Sequence, residues 1–241
     1  MLQKLELDID FNKTGKFNME KDIENAGLLI DNKIKPTLRL YTWKPFCLSL
    51  GYNQNDDNID KAKLNKSGFD IVRRPTGGRA VLHANELTYS IVHPISQDYA
   101  PSDLYRDIHI LFAEAFKING IETDLVKTNP DFKKFYKSDE RSVSCFASSA
   151  RYELSYKEKK IVGSAQRKMS NIVLQHGSIL IGRGYERLSE FIQTSEENRK
   201  RLTEFTLKST THINEISSTE HNAESIADIL INHFKSRNLL A

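Results

Sequence analysis

The sequence predicts an α+β protein with a mainly antiparallel or mixed sheet flanked by helices. Strand-like segments come in groups and do not alternate regularly with helices, which argues against a parallel βαβ architecture. The chain has 241 residues, of which 39% are hydrophobic and 28% are charged, so it is long enough and apolar enough to bury a sizeable core.

Most of the strands are predicted in the N-terminal half. Alternating polar and apolar residues indicate a first strand, and a helix precedes two extended runs that Lys44-Pro45 separates. In chain order we predict a strand at residues 2–9, a helix at 19–30, and strands at 37–43, 46–50, 69–73, 80–83 and 87–92.

The clearest helix is predicted at residues 102–116. Ser102 follows Pro101 and can cap the helix, and Gly120 lies just past its end. Its apolar face consists of Leu104, Ile108, Leu111, Phe112, Ala115 and Phe116. Further along we predict a hairpin of residues 151–156 and 161–163 around a charged turn, a strand at 172–181, and a largely helical region after Gly184 that ends in a helix at 223–238.

Charge and cysteine content exclude several classes of function. The net charge is 35 − 32 = +3, and no basic run suggests a nucleic-acid partner. Two cysteines, Cys47 and Cys145, are too few for a secreted disulfide framework. No apolar stretch reaches the ~18–20 residues of a membrane span, and the N-terminus lacks a signal-peptide core. We therefore expect a cytoplasmic protein that binds neither nucleic acid nor membrane.

The first segment that can carry chemistry is residues 73–83. Its Gly77-Gly78 pair, between two predicted strands, lets the main chain approach a ligand closely and direct N–H groups toward it. The pair taken alone favours a plain hairpin turn. The three arginines at positions 73, 74 and 79 shift the balance toward a site that binds a carbonyl or phosphate group.

The second segment contains Cys145, which lies between Ser144 and Phe146 and outside any apolar run. This context is a poor one for a core residue, but taken alone a free cysteine is still more often a packing residue than a nucleophile. Cys47, between Phe46 and Leu48, is instead predicted to be an inert buried thiol.

The third segment begins at Lys160. The charged residues 157–159 before it are typical of a solvated turn, whereas Lys160 adjoins Ile161-Val162, where a strand begins to be buried. Residues 163–165 are small and allow close packing of the backbone.

Together these segments resemble the biotin/lipoate protein ligase superfamily, and within it the cysteine-dependent octanoyltransferases of lipoate synthesis. The matching motifs are residues 17–19, 38–43, 49–54, 73–83, 86–90, 144–146, 160–166 and 175–180. The resemblance extends from about residue 15 to about residue 195, and the order of its motifs is far more specific than any one motif. Two positions depart from the family pattern, because Ala84 and Ala147 stand where aspartates are common.

The resemblance implies one catalytic domain of the biotin/lipoate protein ligase fold over residues 1–241, with a helical C-terminal part from about residue 185 and no accessory ligase domain. It implies that Cys145 is the catalytic nucleophile and Lys160 an essential lysine, with no metal ion or cofactor. The substrate-binding residues that it implies are Arg73, Arg74, Thr76, Gly77, Gly78, Arg79, His83, Gly163, Ser164, Ala165 and His176.

The implied activity is that of an acyltransferase. An octanoyl group would pass from octanoyl-acyl carrier protein to Cys145, and then to a lysine of a lipoyl-domain protein such as the glycine cleavage H protein or a 2-oxoacid dehydrogenase E2. Only a thiolate attacks, so Cys145 needs a positive neighbour; Lys160 is the candidate, with the Gly77-Gly78 amides as oxyanion donors. Either neutral Lys160 or the departing thiolate takes the proton of the acceptor amine. The basic residues 127–141 are predicted either to dock the acidic carrier protein or to form a solvated loop.

Three other functions fit parts of the pattern. An ATP-dependent lipoate-protein ligase shares the arginine–glycine and lysine motifs but needs no cysteine, and a transferase of the same type can move octanoyl or lipoyl groups between lipoyl-domain proteins. A non-catalytic protein that binds acyl carriers or lipoyl domains is an alternative from another class. A biotin ligase is disfavoured because the Cys145 context has no use there.

Overall fold

The computed structural model describes residues 1–125 and 152–241, and in those ranges the predicted α+β class is confirmed. Its strands are β1 (Glu6–Lys13), β2 (Thr37–Trp43), β3 (Cys47–Leu50), β4 (Asp70–Arg73), β5 (Val81–His83), β6 (Glu86–Pro94), β7 (Asp124–Leu125), β8 (Leu154–Tyr156), β9 (Lys159–Lys160), β10 (Val162–Met169) and β11 (Ile172–Leu180). Its helices are α1 (Gly15–Ile30), α2 (Lys61–Lys66), α3 (Pro101–Ile118), α4 (Glu196–Ser209), α5 (Ile213–Ile216) and α6 (Ala223–Ser236), and a 3₁₀ helix spans Tyr185–Phe191.

The largest sheet has five strands in the order β1-β2-β6-β11-β10. β1 runs parallel to β2, and the other neighbouring strands are antiparallel, so the sheet is mixed, as predicted. A second sheet has the order β4-β3-β5, and a third, small one has the order β7-β8-β9. The second and third sheets carry the two segments, residues 73–83 and Lys160, that the sequence singled out.

The main core lies between the five-stranded sheet and helices α3 and α6. Leu40 of β2 and Tyr89 of β6 pack with Phe112 of α3 and Phe234 of α6, and the rings of Tyr89 and Phe112 meet edge-on with centroids 4.9 Å apart. Helix α3 forms because its apolar side chains recur every three to four residues and give it one buried face. The sheet thereby gains a rigid support on one side.

Helix α1 covers the other side of the same sheet. Successive residues of a strand point to opposite faces, and in β6 Ile91 belongs to the main core while Val92 packs with Ala26 and Leu29 of α1. A separate core, containing Leu48 and Phe191 among others, joins the second sheet to the 3₁₀ helix. The two cores leave a space between the two sheets beside α1.

Two predicted elements are placed differently by the structure. The first strand was predicted at residues 2–9 and is found at Glu6–Lys13, because Leu5 pairs with Leu240 near the C-terminus and the pairing with β2 continues past Asp10 through a bulge. The alternation of polar and apolar residues continues through both ranges, so the pattern alone does not fix where the strand begins.

The predicted hairpin of residues 151–156 and 161–163 is wrong in its second arm. β8 pairs with β9, Lys159–Lys160, and only Lys157 and Glu158 form the turn, both with positive φ of 47° and 67°. β10 begins at Val162 and belongs to the five-stranded sheet. Lys160 is therefore a strand residue and not part of the turn.

Within the described ranges, no helix combines the length and the apolar character that a membrane crossing requires.

Candidate active site

A pocket opens between the five-stranded sheet and the second sheet, beside α1. It encloses about 430 Å³ of empty space, including its open mouth. The lining residues are Met19, Tyr41, Trp43, Ser49, Arg74, Val81, His83, Thr88, Gly163, Ser164, Ala165, His176, Gly177 and Ser178. The predicted substrate-binding residues among them are Arg74, His83, Gly163, Ser164, Ala165 and His176.

Ser49, His83 and Glu86 form a hydrogen-bonded series at one side of the pocket. Nε2 of His83 lies 2.7 Å from Oγ of Ser49, and Nδ1 of His83 donates to Oε1 of Glu86 at 2.7 Å. The same carboxylate oxygen accepts hydrogen bonds from Thr88 at 2.6 Å and from Ser178 at 2.8 Å. Every polar side chain of this group that lines the pocket is thus bonded to another member of the group.

Asp22, His176 and Thr76 form a second series. Nδ1 of His176 lies 3.1 Å from Oδ2 of Asp22, and Nε2 lies 2.6 Å from Oγ1 of Thr76. Asp22 is fully buried, and the guanidinium of Arg39, at 3.0 Å, balances its charge. Burial lowers the pKa of His176 below its usual value, against the opposing effect of Asp22.

Ser164 takes part in a third series that leads away from the pocket. Nδ1 of His109 lies 2.7 Å from the carbonyl oxygen of Tyr105 and must donate to it, so Nε2 accepts from Oγ of Ser164 at 3.0 Å. Oγ of Ser164 in turn lies 2.7 Å from the hydroxyl of Tyr89, which is then the donor. Burial lowers the pKa of His109 to about 4, and the charge of Lys160 acts in the same direction.

These three series determine the chemical character of the pocket. The serine, threonine and histidine side chains that line it direct their donors and acceptors into the surrounding protein, and the surface left to the pocket is mostly carbon. An unpaired polar group in such a place would be costly to cover with an apolar ligand. Because these groups are already paired, the pocket suits an alkyl chain.

Arg74 organises the loop at residues 73–79. Its side chain is buried, and it donates to the carbonyl oxygens of Ser49 at 3.1 Å, of Gly77 at 2.9 Å and of Arg79 at 2.7 Å. The loop is therefore held against β3 by its own arginine. Thr76, bonded to His176, fixes the same loop to β11.

Arg73 extends in another direction and holds the loop at residues 51–54, which follows β3. It donates to the carbonyl oxygens of Gly51 at 2.8 Å and of Gln54 at 2.6 Å. A Cβ on Gly51 would collide with the carbonyl oxygen of Gly78, so the two loops are in backbone contact.

Five of the predicted substrate-binding residues are not among those that line the pocket, namely Arg73, Thr76, Gly77, Gly78 and Arg79. Their contact with a substrate remains a prediction, as does the oxyanion role of the Gly77-Gly78 amides.

Lys160 lies near His109 but does not line the pocket. Its Nζ is 2.9 Å from Oε2 of Glu153, and both side chains are almost fully buried. Cys145 lies outside the described residues, as do Ala147 and the basic segment 127–141. The predicted meeting of Cys145 and Lys160 therefore remains a prediction. Cys47 is buried as predicted, and burial raises the pKa of its thiol well above the usual value.

Three buried carboxylates of these networks were not predicted as functional residues. Asp22 lies in a helix rich in charged residues, and Glu86 and Glu153 stand at the borders of strands. A signal existed for Asp22, because Asn18, Asp22 and Asn25 recur at helical spacing on the face that buries Ala26. For Glu153 and Glu86 the sequence contains no comparable periodic signal.

Comparison with known protein sequences gives consistent matches. A family model described as the lipoyl protein ligase A/B catalytic domain matches residues 17–235. The chain is 42% identical over 190 residues to octanoyltransferase LipM of Clostridioides difficile, which covers 76% of this chain and 68% of that protein. It is 38% identical over 216 residues to octanoyltransferase LipM of Staphylococcus aureus, which covers 87% of this chain and 78% of that protein.

Solved structures show the same fold at lower sequence identity. A bipartite lipoate protein ligase from Thermoplasma acidophilum, studied with its E2 lipoyl domain, superposes with a TM-score of 0.73 at 20% identity, over 100% of this chain and 86% of that chain. A lipoate-protein ligase A bound with ATP gives a TM-score of 0.70 at 20% identity, over 100% and 87% of the two chains. At these identities the likeness shows the fold alone, and it is the catalytic-domain fold that the sequence predicted.

Proposed function

The chain belongs to the lipoyl protein ligase A/B catalytic-domain family, and we propose that it transfers octanoyl groups in protein lipoylation by way of Cys145. Octanoyl transfer is the activity by which several relatives at 35–42% identity are named, and the chain is an acyltransferase of that kind.

The pocket is the observation that carries this proposal. Its lining is mostly carbon although half of the residues around it are polar, because their hydrogen bonds are directed into the surrounding protein, as those of His83 to Glu86 and of His176 to Asp22 are. A saturated acyl chain has no hydrogen-bonding groups along its length, so it gains from burial and leaves no group of the wall unpaired. The pocket therefore supports an unfunctionalised acyl chain as the transferred group.

The proposed reaction has two steps that each exchange one acyl bond. In the first, the thiolate of Cys145 attacks the octanoyl thioester, the C–S bond to the donor breaks, and the donor leaves as a thiolate. In the second, the amine of the acceptor lysine attacks octanoyl-Cys145, a C–N bond forms, and the C–S bond to Cys145 breaks. The attacking nitrogen loses one proton, which either neutral Lys160 or the departing sulfur receives. The charge of Lys160 would stabilise the thiolates and the developing oxyanion.

We propose octanoyl-acyl carrier protein as the donor and a lipoyl-domain protein as the acceptor. A thioester donor matches a cysteine nucleophile, because one thiolate replaces another with little change in energy. A solved structure of the same fold was studied together with an E2 lipoyl domain, which supports the class of acceptor. The single-domain organisation and the cytoplasmic location remain predictions from the sequence.

The test is transfer without ATP. Purified protein is mixed with octanoyl-acyl carrier protein and an unmodified lipoyl domain, and the mass of the lipoyl domain is followed by mass spectrometry. We expect one octanoyl group on the domain lysine in the absence of ATP. Free octanoate with ATP and Mg²⁺ serves as the parallel reaction. Modification that forms only from the free acid and ATP would contradict the proposal and indicate a ligase.

A further inference from the structure

We propose that Glu153 is a positioning residue for the transfer reaction, which holds the ammonium group of Lys160 in a fixed place and in its charged form. The inference rests on the proposed function, because it assigns to Glu153 a role that acts through the predicted essential lysine. It also selects between neutral Lys160 and the departing thiolate, the two groups that the sequence left open as acceptors of the proton from the incoming amine.

The ion pair is the first observation. Nζ of Lys160 lies 2.9 Å from Oε2 of Glu153, and the two side chains are only 4% and 3% exposed. Removing two charges from water is costly, and a buried charge is tolerated only with a close partner of opposite sign. A lysine in this place therefore needs its carboxylate, and the pair fixes the direction of the lysine side chain.

The second oxygen of the carboxylate is also used. The hydroxyl of Tyr105, on helix α3, donates to Oε1 of Glu153 at 3.0 Å. Since one oxygen binds Lys160 and the other binds Tyr105, the carboxylate is held from two sides and cannot rotate freely. Helix α3, which is anchored in the main core, thus determines where the lysine is held.

The backbone of Lys160 is fixed independently of its side chain. β9 pairs with β8, so that Lys160 lies opposite Ser155, and the amide of Ile161 donates to the carbonyl of Leu154 at 3.0 Å. On its other side, the amide of Thr211 donates to the carbonyl of Lys160 at 3.0 Å. The β8–β9 hairpin thereby brings Glu153 and Lys160 together, and it leaves only the side chain of Lys160 to be oriented by Glu153.

The neighbouring histidine does not compete for this role. His109 donates through Nδ1 to a carbonyl oxygen and accepts through Nε2 from Ser164, so both ring nitrogens have partners. Burial lowers the pKa of its ring to about 4, so it carries no charge at pH 7. Within residues 1–125 and 152–241, the carboxylate that pairs with Lys160 is that of Glu153.

The pair has a consequence for the second step of the reaction. A lysine bonded to a carboxylate acts as an ammonium, which donates hydrogen bonds and cannot accept a proton. The proton of the acceptor amine therefore goes to the departing sulfur of Cys145, and Lys160 begins and ends the step charged. Of the two possibilities that the sequence left open, the ion pair supports the thiolate.

The test compares Glu153→Gln with Glu153→Asp and with a matched control, Glu158→Gln. Glu158 is exposed in the adjacent turn and has the same side chain. The rate of octanoyl loading from octanoyl-acyl carrier protein and the steady-state kcat and KM are measured well below the unfolding temperature of each variant. We expect Glu153→Gln to lower kcat by about 10²-fold, since misplaced catalytic groups typically cost this much, with little change in the KM for the donor. Glu153→Asp restores the charge and should recover activity to within about tenfold of wild type, and Glu158→Gln should match wild type.

A folded Glu153→Gln variant with a kcat near that of wild type would overturn the inference, and so would an Asp variant as impaired as the Gln variant. If Glu153→Gln does not fold, Tyr105→Phe decides, because it keeps the ion pair and removes one hydrogen bond to the carboxylate. A several-fold loss of kcat at unchanged KM is expected, and an unchanged kcat would overturn the inference. Wild-type protein that loads no octanoyl group would refute the proposed function instead.

Discussion

Trp43 shows how single side chains give the pocket its character. Its indole N–H donates to Oγ1 of Thr88 at 2.7 Å, and its ring stacks on the imidazole of His83 with centroids 4.0 Å apart. The ring is nearly buried, so the pocket meets its apolar body while its one polar atom has a partner. The same division between a polar edge turned away and a carbon surface turned inward recurs around the pocket.

His109 makes acid stability a test at this scale. Its pKa is lowered to about 4 in the folded protein, against a usual value near 6.5, so between these pH values only the unfolded chain binds the proton. Above about pH 6.5 neither state binds this proton, and the free energy of unfolding is not reduced. As the pH falls toward 4, proton binding by the unfolded chain lowers the free energy of unfolding by about 3 kcal/mol at most. Urea unfolding at pH 7 and pH 4.5 should show that His109→Asn loses less stability on acidification than wild type does.

The control for this prediction is His221→Asn. His221 is only half-buried, in the segment before α6, and its replacement should leave the acid-induced loss unchanged. The interpretation of His109 as a buried neutral acceptor fails if His109→Asn and wild type lose equal stability between the two pH values.

The sequence predicted the residues that lie within local motifs better than their partners. His83, His176 and Arg74 stand in ordered motifs and were singled out, and all three line the pocket. Glu153 was not singled out, because an isolated acidic residue has the same appearance in sequence whether it is exposed or bonded to a buried cation. Asp22 was missed although Asn18, Asp22 and Asn25 recur at helical spacing on one face of α1.

At the scale of elements, the pocket depends on the close approach of two loops. Gly51 follows β3, and its Cα faces the carbonyl oxygen of Gly78 so closely that a Cβ would collide with it. The amide of Tyr52 also donates to the carbonyl of Thr76 at 2.9 Å. The loop at residues 73–79 is therefore positioned by a glycine that lies outside it.

Gly51→Ala tests this arrangement. The added methyl group meets backbone, which cannot move aside as a side chain can, so the loop must shift. We expect a loss of about 1–3 kcal/mol in the free energy of unfolding and at least a tenfold slower octanoyl transfer, measured by denaturant unfolding and by the transfer assay.

Gly27→Ala is the matched control for that substitution. Gly27 is exposed within α1 and a Cβ there would meet no atom within 4 Å. Alanine favours a helix over glycine by about 0.5–1 kcal/mol, so this variant should be slightly more stable and fully active. Equal behaviour of the two variants would show that the contact between the loops is unimportant.

Elements with strong local patterns were predicted well, and those that depend on distant partners were not. The helix predicted at residues 102–116 is found at Pro101–Ile118, because its periodicity is long and its ends carry local signals. The second arm of the hairpin was predicted at residues 161–163 and is found at Lys159–Lys160, because residues 161–163 look extended in either arrangement. Their partner is β11 of the main sheet, and no local feature reveals that pairing.

At the scale of the whole molecule, the pocket is assembled from segments that are far apart in sequence. Met19 of α1, Trp43 of β2 and His176 of β11 meet in it, and the pairing of Asp22 with His176 joins residues 154 positions apart. The fold class was predictable from grouped strands. The order of the strands was not, because it depends on long-range pairing, which leaves no trace in a single sequence.

The central claim is that this pocket receives an octanoyl chain whose carbonyl is bound to Cys145, and an intact-mass measurement tests it most directly. Wild-type protein, Cys145→Ala and Cys47→Ala are each incubated with octanoyl-acyl carrier protein and then with an unmodified lipoyl domain. The account predicts one octanoyl group on wild type and on Cys47→Ala, its loss when the lipoyl domain is added, and neither adduct nor transfer for Cys145→Ala. Continued transfer by Cys145→Ala would contradict it.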